Sequence, residues 1–342
     1  MRPCLLQVLA CPSCGGELEL RGSGPGSRPD EEIESGTLRC RGCAREYPIV
    51  DSVPRFVGRS EGEGTDRRVR RTRASFGFEW DRYPGSRAED RGIFLDETQT
   101  SSEDWAGRFV LDAGCGMGRY TRVALSLGAD VVAFDLSDSL LRLAAEARRN
   151  KHLHVVQGDL LRPPLRHESF DIVYSQGVIH HTADTRGAFD RLAAVVKRQG
   201  LLTVWVYGTP GSYRSFSTNP LRAGRERLKR ALPLAWLAVW LRQILSDSLR
   251  LLTTRLPVPL LYALCYPLTI VGAVPLLKYF TFSVHEDFRV RLIENFDWLS
   301  PPFQSKHTKE ESRAWYEAAG CEVLRHLPHG VVPKVGILGR KS

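Results

Sequence analysis

The chain has 342 residues, of which 42% are apolar and 25% charged, and its formal net charge is +9. This length predicts about two domains, and the composition excludes a disordered and a collagen-like chain. Basic side chains outnumber acidic ones by eight to four in residues 67–91 and by eight to two in residues 221–255. Two such basic segments could bind a phosphate-rich partner, either nucleic acid or an anionic membrane surface. They are equally typical of a solvent-exposed face that binds no partner.

Residues 1–57 are predicted to form a small metal-binding unit. Cys11 and Cys14 form one CxxC pair, and Cys40 and Cys43 form a second. Each pair presents two thiolates, so two pairs complete a closed tetrahedral site for a structural zinc ion, on which so small a unit depends to fold. The two cysteine pairs are typical of thiols that are kept reduced for metal binding. The apolar stretch at the amino terminus is too short for a signal peptide. Both features favour a cytoplasmic protein.

This unit resembles a known family. The segments 9–16, 38–43, 47–51 and 53–56 read LACPSCGG, LRCRGC, YPIVD and VPRF. They are similar to the zinc-ribbon domain of the activator subunit shared by several tRNA and protein methyltransferases. The resemblance implies that the unit supports or docks a methyltransferase rather than carrying out chemistry itself, and that here it is fused to its catalytic domain.

A polar linker is predicted over residues 58–75, where five arginines fall within residues 67–73. The aromatic cluster Phe76-Gly-Phe-Glu-Trp80 then opens a second domain, predicted over residues 76–342. Two interpretations of this cluster are left open. It forms either a helical cap over a binding cleft or the first core contact of the domain.

An apolar run at residues 109–113 leads into the glycine-rich turn GCGMG at residues 114–118 and then into an amphipathic helix. Such a turn lets a ligand approach the backbone at the carboxyl end of a strand. Arg119 stands where the dinucleotide fingerprint requires a third glycine, so a nicotinamide cofactor is disfavoured.

Four further strands are predicted at residues 130–134, 153–157, 170–174 and 200–206. Asp135 follows the first of them, about 20 residues after the glycine turn, where a carboxylate can accept both hydroxyls of a ribose. Asp159 and Leu160 follow the second and are suited to an adenine amino group and ring. Strands that alternate with helices predict a parallel sheet that binds ligands at its carboxyl edge.

Residues 108–207 resemble class I S-adenosylmethionine-dependent methyltransferases of the type found in ubiquinone and menaquinone biosynthesis. The matching motifs are Asp112-Ala-Gly-Cys-Gly-Met-Gly118, Asp135, Gly158-Asp-Leu160 and Val178-Ile-His-His-Thr182. A helix at 308–320 and strands at 322–327 and 331–338 are similar to the closing elements of that fold. The resemblance implies an α/β fold with a doubly wound, Rossmann-like sheet of seven strands.

The same resemblance implies a site for S-adenosylmethionine at the strand ends. Its predicted binding residues are Asp112, Gly114, Cys115, Gly116, Gly118, Asp135, Leu136, Asp159, Leu160 and Gln176. Because the sulfonium already activates its methyl group, the protein chiefly has to align an acceptor, and no catalytic metal is needed. His180 and His181, just beyond the fourth strand of the domain, are the candidate catalytic bases; alternatively, they cap or position their loop.

A helical lid is predicted in an insertion at residues 209–300, which is longer than this fold needs. Residues 221–255 alternate basic clusters with apolar residues, as a basic amphipathic helix does, and residues 256–277 contain no charge. Four prolines, at 257, 259, 267 and 275, argue against one straight membrane-spanning helix. Three interpretations are left open: a lid alone, a lid in peripheral contact with an anionic membrane through residues 221–280, and a true span.

An apolar lid over a cofactor cleft predicts a small, hydrophobic methyl acceptor, such as a lipid, a quinone or a polyketide-like molecule. One alternative is methylation of RNA (rRNA or tRNA), which the zinc ribbon and the arginine-rich segment suggest. The Leu- and Pro-rich insertion makes this the weaker prediction. A second alternative is a catalytically inactive methyltransferase fold that serves as a scaffold, and the sequence gives no indication of oligomeric state.

Overall fold

The architecture comes from a computed structural model, which describes residues 1–21, 32–57, 66–83, 85–209, 232–274, 277, 281–283, 285–327 and 334–342. Residues 232–240 and 242 are described by their backbone alone. Two β-sheets organise the described chain, one of four strands and one of seven.

The amino-terminal unit is an antiparallel sheet in the order β1-β2-β3-β4. Its strands are β1 Leu18–Arg21, β2 Gly36–Cys40, β3 Glu46–Val50 and β4 Val53–Pro54. Alternate residues of a strand face the same side, so β2 buries Leu38 and Cys40 while β3 buries Tyr47 and Ile49. The small core of this sheet therefore includes a cysteine of the predicted metal site.

The amino-terminal unit packs against the edge of the larger sheet. Arg55 forms a parallel bridge with Gln157, and the Phe56 amide donates to the Gln157 carbonyl at 2.8 Å. A second bridge joins Leu9 to Leu165, and both side chains are buried. Because an edge strand presents unpaired backbone groups, these contacts cover a surface that would otherwise be open to other chains. Such docking agrees with what the resemblance to the activator subunit implies.

The larger sheet has seven strands in the order β10-β11-β9-β8-β5-β6-β7. They are β5 Phe109–Ala113, β6 Asp130–Asp135, β7 Leu153–Gln157, β8 Phe170–Gln176, β9 Val196–Tyr207, β10 Cys321–His326 and β11 Lys334–Lys341. Strands β5 to β9 are parallel, and β10 and β11 close the sheet in antiparallel pairs. The predicted doubly wound α/β sheet of seven strands is confirmed. The strand order reverses between β5 and β8, which opens a crevice at their carboxyl ends.

Helices cover both faces of this sheet. They are α1 Arg67–Trp80, α2 Asp90–Thr98, α3 Arg119–Ser126, α4 Ala144–Arg149, α5 Thr185–Val195, α6 Leu232–Thr253, α7 Val258–Val271, α8 Phe288–Leu299 and α9 Lys309–Ala318. Val110 and Val131 share a buried cluster with side chains of α2 and α3. Their neighbours Leu111 and Val132 face the other way and share a cluster with side chains of α5 and α9.

Part of the predicted linker is helical. Residues 58–65 lie outside the described residues, but α1 already begins at Arg67. Asp66 caps the helix by accepting a hydrogen bond from the Arg68 amide at 2.8 Å. Arginine is a good helix former, so a run of arginines after such a cap starts a helix readily. The prediction of a linker over residues 58–75 is therefore wrong from residue 67 onward.

The insertion is helical where it is described, in α6, α7 and α8, while residues 210–231 lie outside the described residues. Helix α8 packs against α1, α6 and α7. Helix α7 has only 14 residues and contains Pro267. In the described part of the chain, no helix has both the length and the apolar character needed to cross a bilayer. The interpretation of a true span therefore has no support from these helices.

Candidate functional site

A cavity with a volume of about 360 Å³ lies at the carboxyl ends of β5, β6, β7 and β8. This falls in the range of about 300–1,000 Å³ that is typical of small-molecule sites. Eight of the ten predicted cofactor-binding residues line it, namely Asp112, Gly114, Cys115, Asp135, Leu136, Asp159, Leu160 and Gln176. The other two, Gly116 and Gly118, are not among the lining residues.

The glycine turn is tightly packed. Gly114, Gly116 and Gly118 have φ values of +93°, +54° and +88°, in the left-handed region that favours glycine. A Cβ atom at these positions would approach a neighbour too closely: 2.3 Å from Val178 at Gly114, 2.8 Å from Trp80 at Gly116 and 2.4 Å from Leu143 at Gly118. Gly116 and Gly118 therefore shape the turn by allowing close packing against it, and their contact with the cofactor stays a prediction.

Two buried carboxyl groups stand beside the turn. Asp112, near the end of β5, accepts a hydrogen bond from the Thr121 hydroxyl at 2.6 Å, and burial raises its pKa to about 7. Asp135, at the end of β6, accepts from the Gly116 amide at 2.8 Å and from the amide and hydroxyl of Ser137, both at 2.7 Å. Burial raises the pKa of Asp135 as well. A carboxylate offers about four acceptor positions and three are occupied here, so Asp135 can hold the turn and still accept one hydrogen bond from a ligand.

The ends of β7 and β8 complete this part of the wall. Asp159 accepts the Leu161 amide at 2.9 Å, and Leu160 beside it is buried. Gln176 donates to the backbone and side-chain oxygens of Thr203, both at 3.2 Å. The buried Oε1 atom of Gln176 has no hydrogen-bond partner among the described residues. Since an unpaired buried amide oxygen is costly, this atom fits a ligand that donates a hydrogen bond, as the predicted cofactor does.

His180 lies away from the cavity. Its ring is fully buried between those of His181 and Tyr207, each 4.1 Å away between ring centroids, and it does not line the cavity. Both ring nitrogens lack a hydrogen-bond partner in the described part of the chain. Burial lowers the pKa of His180 well below its usual range. A base has to reach the proton it removes, so this placement favours His181 over His180 as the candidate base.

His181 does line the cavity. Its Nδ1 atom lies 2.9 Å from the carbonyl oxygen of Phe303, which can only accept, so Nδ1 carries the proton and donates it. Burial lowers the pKa of His181 to about 4. At neutral pH the ring is therefore uncharged, and its Nε2 atom is a hydrogen-bond acceptor.

Helices α1 and α8 supply further residues of the cavity wall. Phe76, Glu79 and Trp80 of α1 line the cavity together with Glu294 and Asp297 of α8. The interpretation of the aromatic cluster as a helical cap over the cleft agrees with this placement. The position of Glu79 inside an aromatic cluster was the one feature of the sequence that could have indicated a role in the cavity. Nothing in the sequence indicated such a role for the two acidic residues of α8.

The four cysteines of the two CxxC pairs converge. Their Sγ atoms all lie within 4.8 Å of one another, with separations of 3.7 Å between Cys11 and Cys43 and 3.4 Å between Cys14 and Cys40. Four thiolates without an open position are the donor set of a structural zinc site. These residues therefore fit the predicted ion.

Comparison with known families agrees with both units. Residues 2–52 match the family described as Trm112p-like protein, and residues 111–204 match the family described as methyltransferase domain. The chain carries a Trm112p-like domain followed by a methyltransferase domain. The match to the methyltransferase domain runs from β5 into β9 and so includes the glycine turn, both histidines and every predicted cofactor-binding residue.

Curated relatives match part of the chain. An uncharacterized methyltransferase of Mycobacterium tuberculosis is 34% identical over 101 residues, which cover 30% of this chain and 51% of that protein. A malonyl-acyl-carrier-protein O-methyltransferase of Enterobacter lignolyticus is 37% identical over 94 residues, covering 27% and 36%. A demethylmenaquinone methyltransferase of Thermobifida fusca is 29% identical over 144 residues, covering 36% and 61%. The chain thus spans between 36% and 61% of the length of these relatives.

A solved S-adenosylmethionine-dependent methyltransferase from Mesorhizobium loti is 15% identical to this chain, with a TM-score of 0.41. The match covers 73% of this chain and 95% of that one. A structural similarity of this size carries no argument by itself. The strand order of the sheet supports the assignment of the methyltransferase fold instead.

Proposed function

We propose that the protein transfers a methyl group from S-adenosylmethionine to a small, mainly apolar acceptor. One observation carries the proposal: the strand-end residues predicted to bind the cofactor and the aromatic side chains of α1, β9 and α8 line the same cavity. The aromatic part includes Phe76, Trp80, Tyr207 and Trp298. When bound, S-adenosylmethionine supplies an activated methyl group, so the contribution of the chain is to orient two ligands and to exclude water.

His181 is the residue we propose to take up a proton from the acceptor. Its uncharged ring is fixed by the hydrogen bond to Phe303, which leaves Nε2 with a free lone pair. Because its pKa is about 4, His181 is a weak base at neutral pH. We therefore expect it to contribute about a hundredfold to turnover, at the low end of the usual range for general bases.

Transfer can be tested before the acceptor is known. The zinc-loaded chain is incubated with S-adenosylmethionine carrying a tritiated methyl group and with a cell extract, which is then separated into organic-soluble, RNA and protein fractions. We expect label in organic-soluble small molecules. His181→Ala should bind S-adenosylhomocysteine as the wild type does in calorimetry but transfer about a hundredfold less label, while replacement of the exposed His167 by Ala should change neither quantity.

Two other outcomes of this experiment would support the alternative functions. Label found only in RNA would support the RNA alternative over a small acceptor. Binding of the cofactor without transfer to any fraction would support the scaffold alternative. If neither S-adenosylmethionine nor S-adenosylhomocysteine binds, the proposed function is wrong.

The arginine-rich segment now favours the small acceptor over RNA. Arg73 forms an ion pair with Asp138 at 2.9 Å, and the Arg68 guanidinium lies 4.0 Å above the ring of Phe303. Binding of RNA relies on cationic side chains that neutralise its phosphates and so release the counterions of the nucleic acid. Arginines already engaged with the methyltransferase domain are less suited to that purpose.

We also propose that the insertion contacts an anionic membrane surface. Every large apolar side chain found exposed among the described residues lies between Leu241 and Phe288, and the most exposed are Leu251 (70%) and Leu252 (64%). A concentration of exposed apolar surface in one segment indicates an interaction site. The eight basic and two acidic residues within 221–255 complement anionic lipid head groups rather than a neutral partner.

Vesicle binding tests this contact. We expect the protein to co-sediment with vesicles of phosphatidylcholine that contain about one third phosphatidylglycerol, and salt to weaken the binding. The double variant Leu251→Gln/Leu252→Gln should lose most of it, because it removes apolar surface at an unchanged charge. Ser248→Gln, an exposed position on the same helix, is the control and should bind normally. Equal sedimentation of the double variant and the wild type would contradict the proposal.

A further inference from the structure

Three carboxyl groups line the aromatic part of the cavity: Glu79 of α1 and Glu294 and Asp297 of α8, here named the carboxyl trio. Glu294 and Asp297 lie three residues apart, on one face of their helix. Glu79 is only 5% exposed, and its Oε2 atom has no hydrogen-bond partner in the described part of the chain. A buried carboxylate without a partner is costly, so Glu79 requires either a proton or a cation.

The hydrogen bonds of the trio do not compensate its charge. The Tyr207 hydroxyl donates to Asp297 at 3.2 Å, and the Ser283 hydroxyl donates to Glu294. Both donors are neutral. Burial, together with the charges of Asp297 and Glu294, raises the pKa of Glu79 well above its usual range, and burial raises the pKa of Asp297 to about 7.

Nearby cationic side chains are paired with other acids. The cations that line the cavity form ion pairs outside the trio: Arg73 with Asp138, Arg119 with Asp90, and Lys334 with Glu97. Arg250, whose charge acts on Asp297, pairs with Asp247 at 3.2 Å. The described residues therefore offer the trio no counter-ion of its own.

The arrangement suits an organic cation better than a metal ion. Within the described residues, only the four cysteines bring three or more potential ligand atoms within 4.8 Å of one another, so the trio is not gathered around an ion. Aromatic rings stand beside it instead. Tyr207 stacks on Trp298 with centroids 5.2 Å apart, and Trp80 lies 5.3 Å from Tyr83. Aromatic faces attract organic ammonium groups, and carboxylates bind them through charge-assisted hydrogen bonds.

We propose that the carboxyl trio binds an organic ammonium group carried by the methyl acceptor. This inference rests on the proposed function, since the acceptor is the second ligand of the cavity. It refines the prediction of a hydrophobic acceptor to a molecule with an apolar body, which contacts the aromatic rings, and one cationic nitrogen at the trio. S-adenosylmethionine also carries positive charge, so the test has to separate the two sources.

Two probe molecules of the same shape, one cationic and one neutral, separate binding of the acceptor's charge from binding of the cofactor. The full, zinc-loaded chain is saturated with S-adenosylhomocysteine and titrated in a calorimeter with 4-phenylbutylamine or 4-phenylbutanol. At about pH 8 an alkylamine is still protonated and Asp297 is ionised. We expect the amine to bind at least about tenfold more tightly than the alcohol. Glu79→Gln and Asp297→Asn should each reduce this preference to less than about threefold, chiefly by weakening the binding of the amine.

Glu322→Gln is the matched control, because this exposed carboxylate lies on β10, away from the cavity, and the variant should keep the preference. Equal binding of the two probes, no binding of the amine, or an unchanged preference in both trio variants would overturn the inference. If the trio variants instead weaken S-adenosylhomocysteine binding, the carboxyl groups serve the cofactor, and the inference fails while the proposed function stands. Failure of the wild type to bind S-adenosylhomocysteine would mean that the proposed function itself is wrong.

Discussion

Removal of the predicted zinc ion from the Trm112p-like domain should unfold residues 1–57 and weaken cofactor binding in the methyltransferase domain. Without an ion, four thiol groups lie within 4.8 Å of one another in a unit whose own sheet has only four short strands. Binding of a structural zinc ion contributes on the order of 10 kcal/mol to the folding of comparable small units. We therefore expect a strong chelator to make this domain sensitive to protease, as measured by limited proteolysis with and without the metal.

The effect should reach the cofactor site through Gln157. Its carbonyl accepts the Phe56 amide of the amino-terminal unit, and its side chain donates to Asp138 at 2.8 Å and to the Leu136 carbonyl at 3.3 Å. Leu136 lines the cavity directly after Asp135. Loss of the docked domain removes one support of this loop. We expect the affinity for S-adenosylhomocysteine to fall about tenfold, which is a typical coupling between linked sites.

Single substitutions separate the role of zinc from side effects of the chelator. Cys40→Ser removes one predicted ligand and should reproduce both effects, whereas Cys4→Ser changes an exposed cysteine outside the cluster and should reproduce neither. A zinc-free domain that stays resistant to protease would contradict the structural role of the metal. An unfolded domain with unchanged cofactor affinity would contradict only the coupling through Gln157.

Local sequence patterns, together with the family resemblance that they carry, sufficed to predict one side of the cavity. Each of β5, β6 and β7 is a short apolar run, and the residues that line the cavity stand at or just after the carboxyl ends of these strands, as at Asp135 and Asp159. In a parallel sheet the carboxyl ends of the strands meet at one edge, so residues that are distant in the sequence come together in one site. This is why eight of the ten predicted residues line one cavity.

The acceptor side could not be predicted in the same way. Glu79 and Asp297 are separated by more than 200 positions in the chain, and they meet because α8 of the insertion packs against α1. No short-range pattern records that contact. The histidine pair shows the same limit for two neighbouring residues. His181 faces the cavity, whereas His180 in the same turn is buried behind it.

Gly114→Ala should reduce the affinity for S-adenosylhomocysteine by at least about a hundredfold, which corresponds to about 2.7 kcal/mol. Alanine would have to adopt a φ of +93°, and its Cβ would lie 2.3 Å, 2.5 Å and 2.8 Å from the side-chain carbons of Val178. Carbon atoms pack best at about 3.5–4.0 Å, so either the turn or Val178 has to move. Movement of the turn would also pull the Gly116 amide away from Asp135. Calorimetry with S-adenosylhomocysteine measures the loss.

Gly85→Ala is a control that isolates the collision from the torsional strain. Gly85 has a φ of +92°, almost identical to that of Gly114, but a Cβ atom there would meet nothing within 4 Å. Both variants therefore carry a left-handed alanine, and only one collides with a neighbour. If both lose the same affinity, strain of the fold rather than the shape of the turn is responsible. If Gly114→Ala binds as tightly as the wild type, the cofactor does not rest on this turn and the proposed site is wrong. Adding Val178→Ala to Gly114→Ala removes the two closest contacts and should restore part of the affinity, because the turn can then return toward its original position.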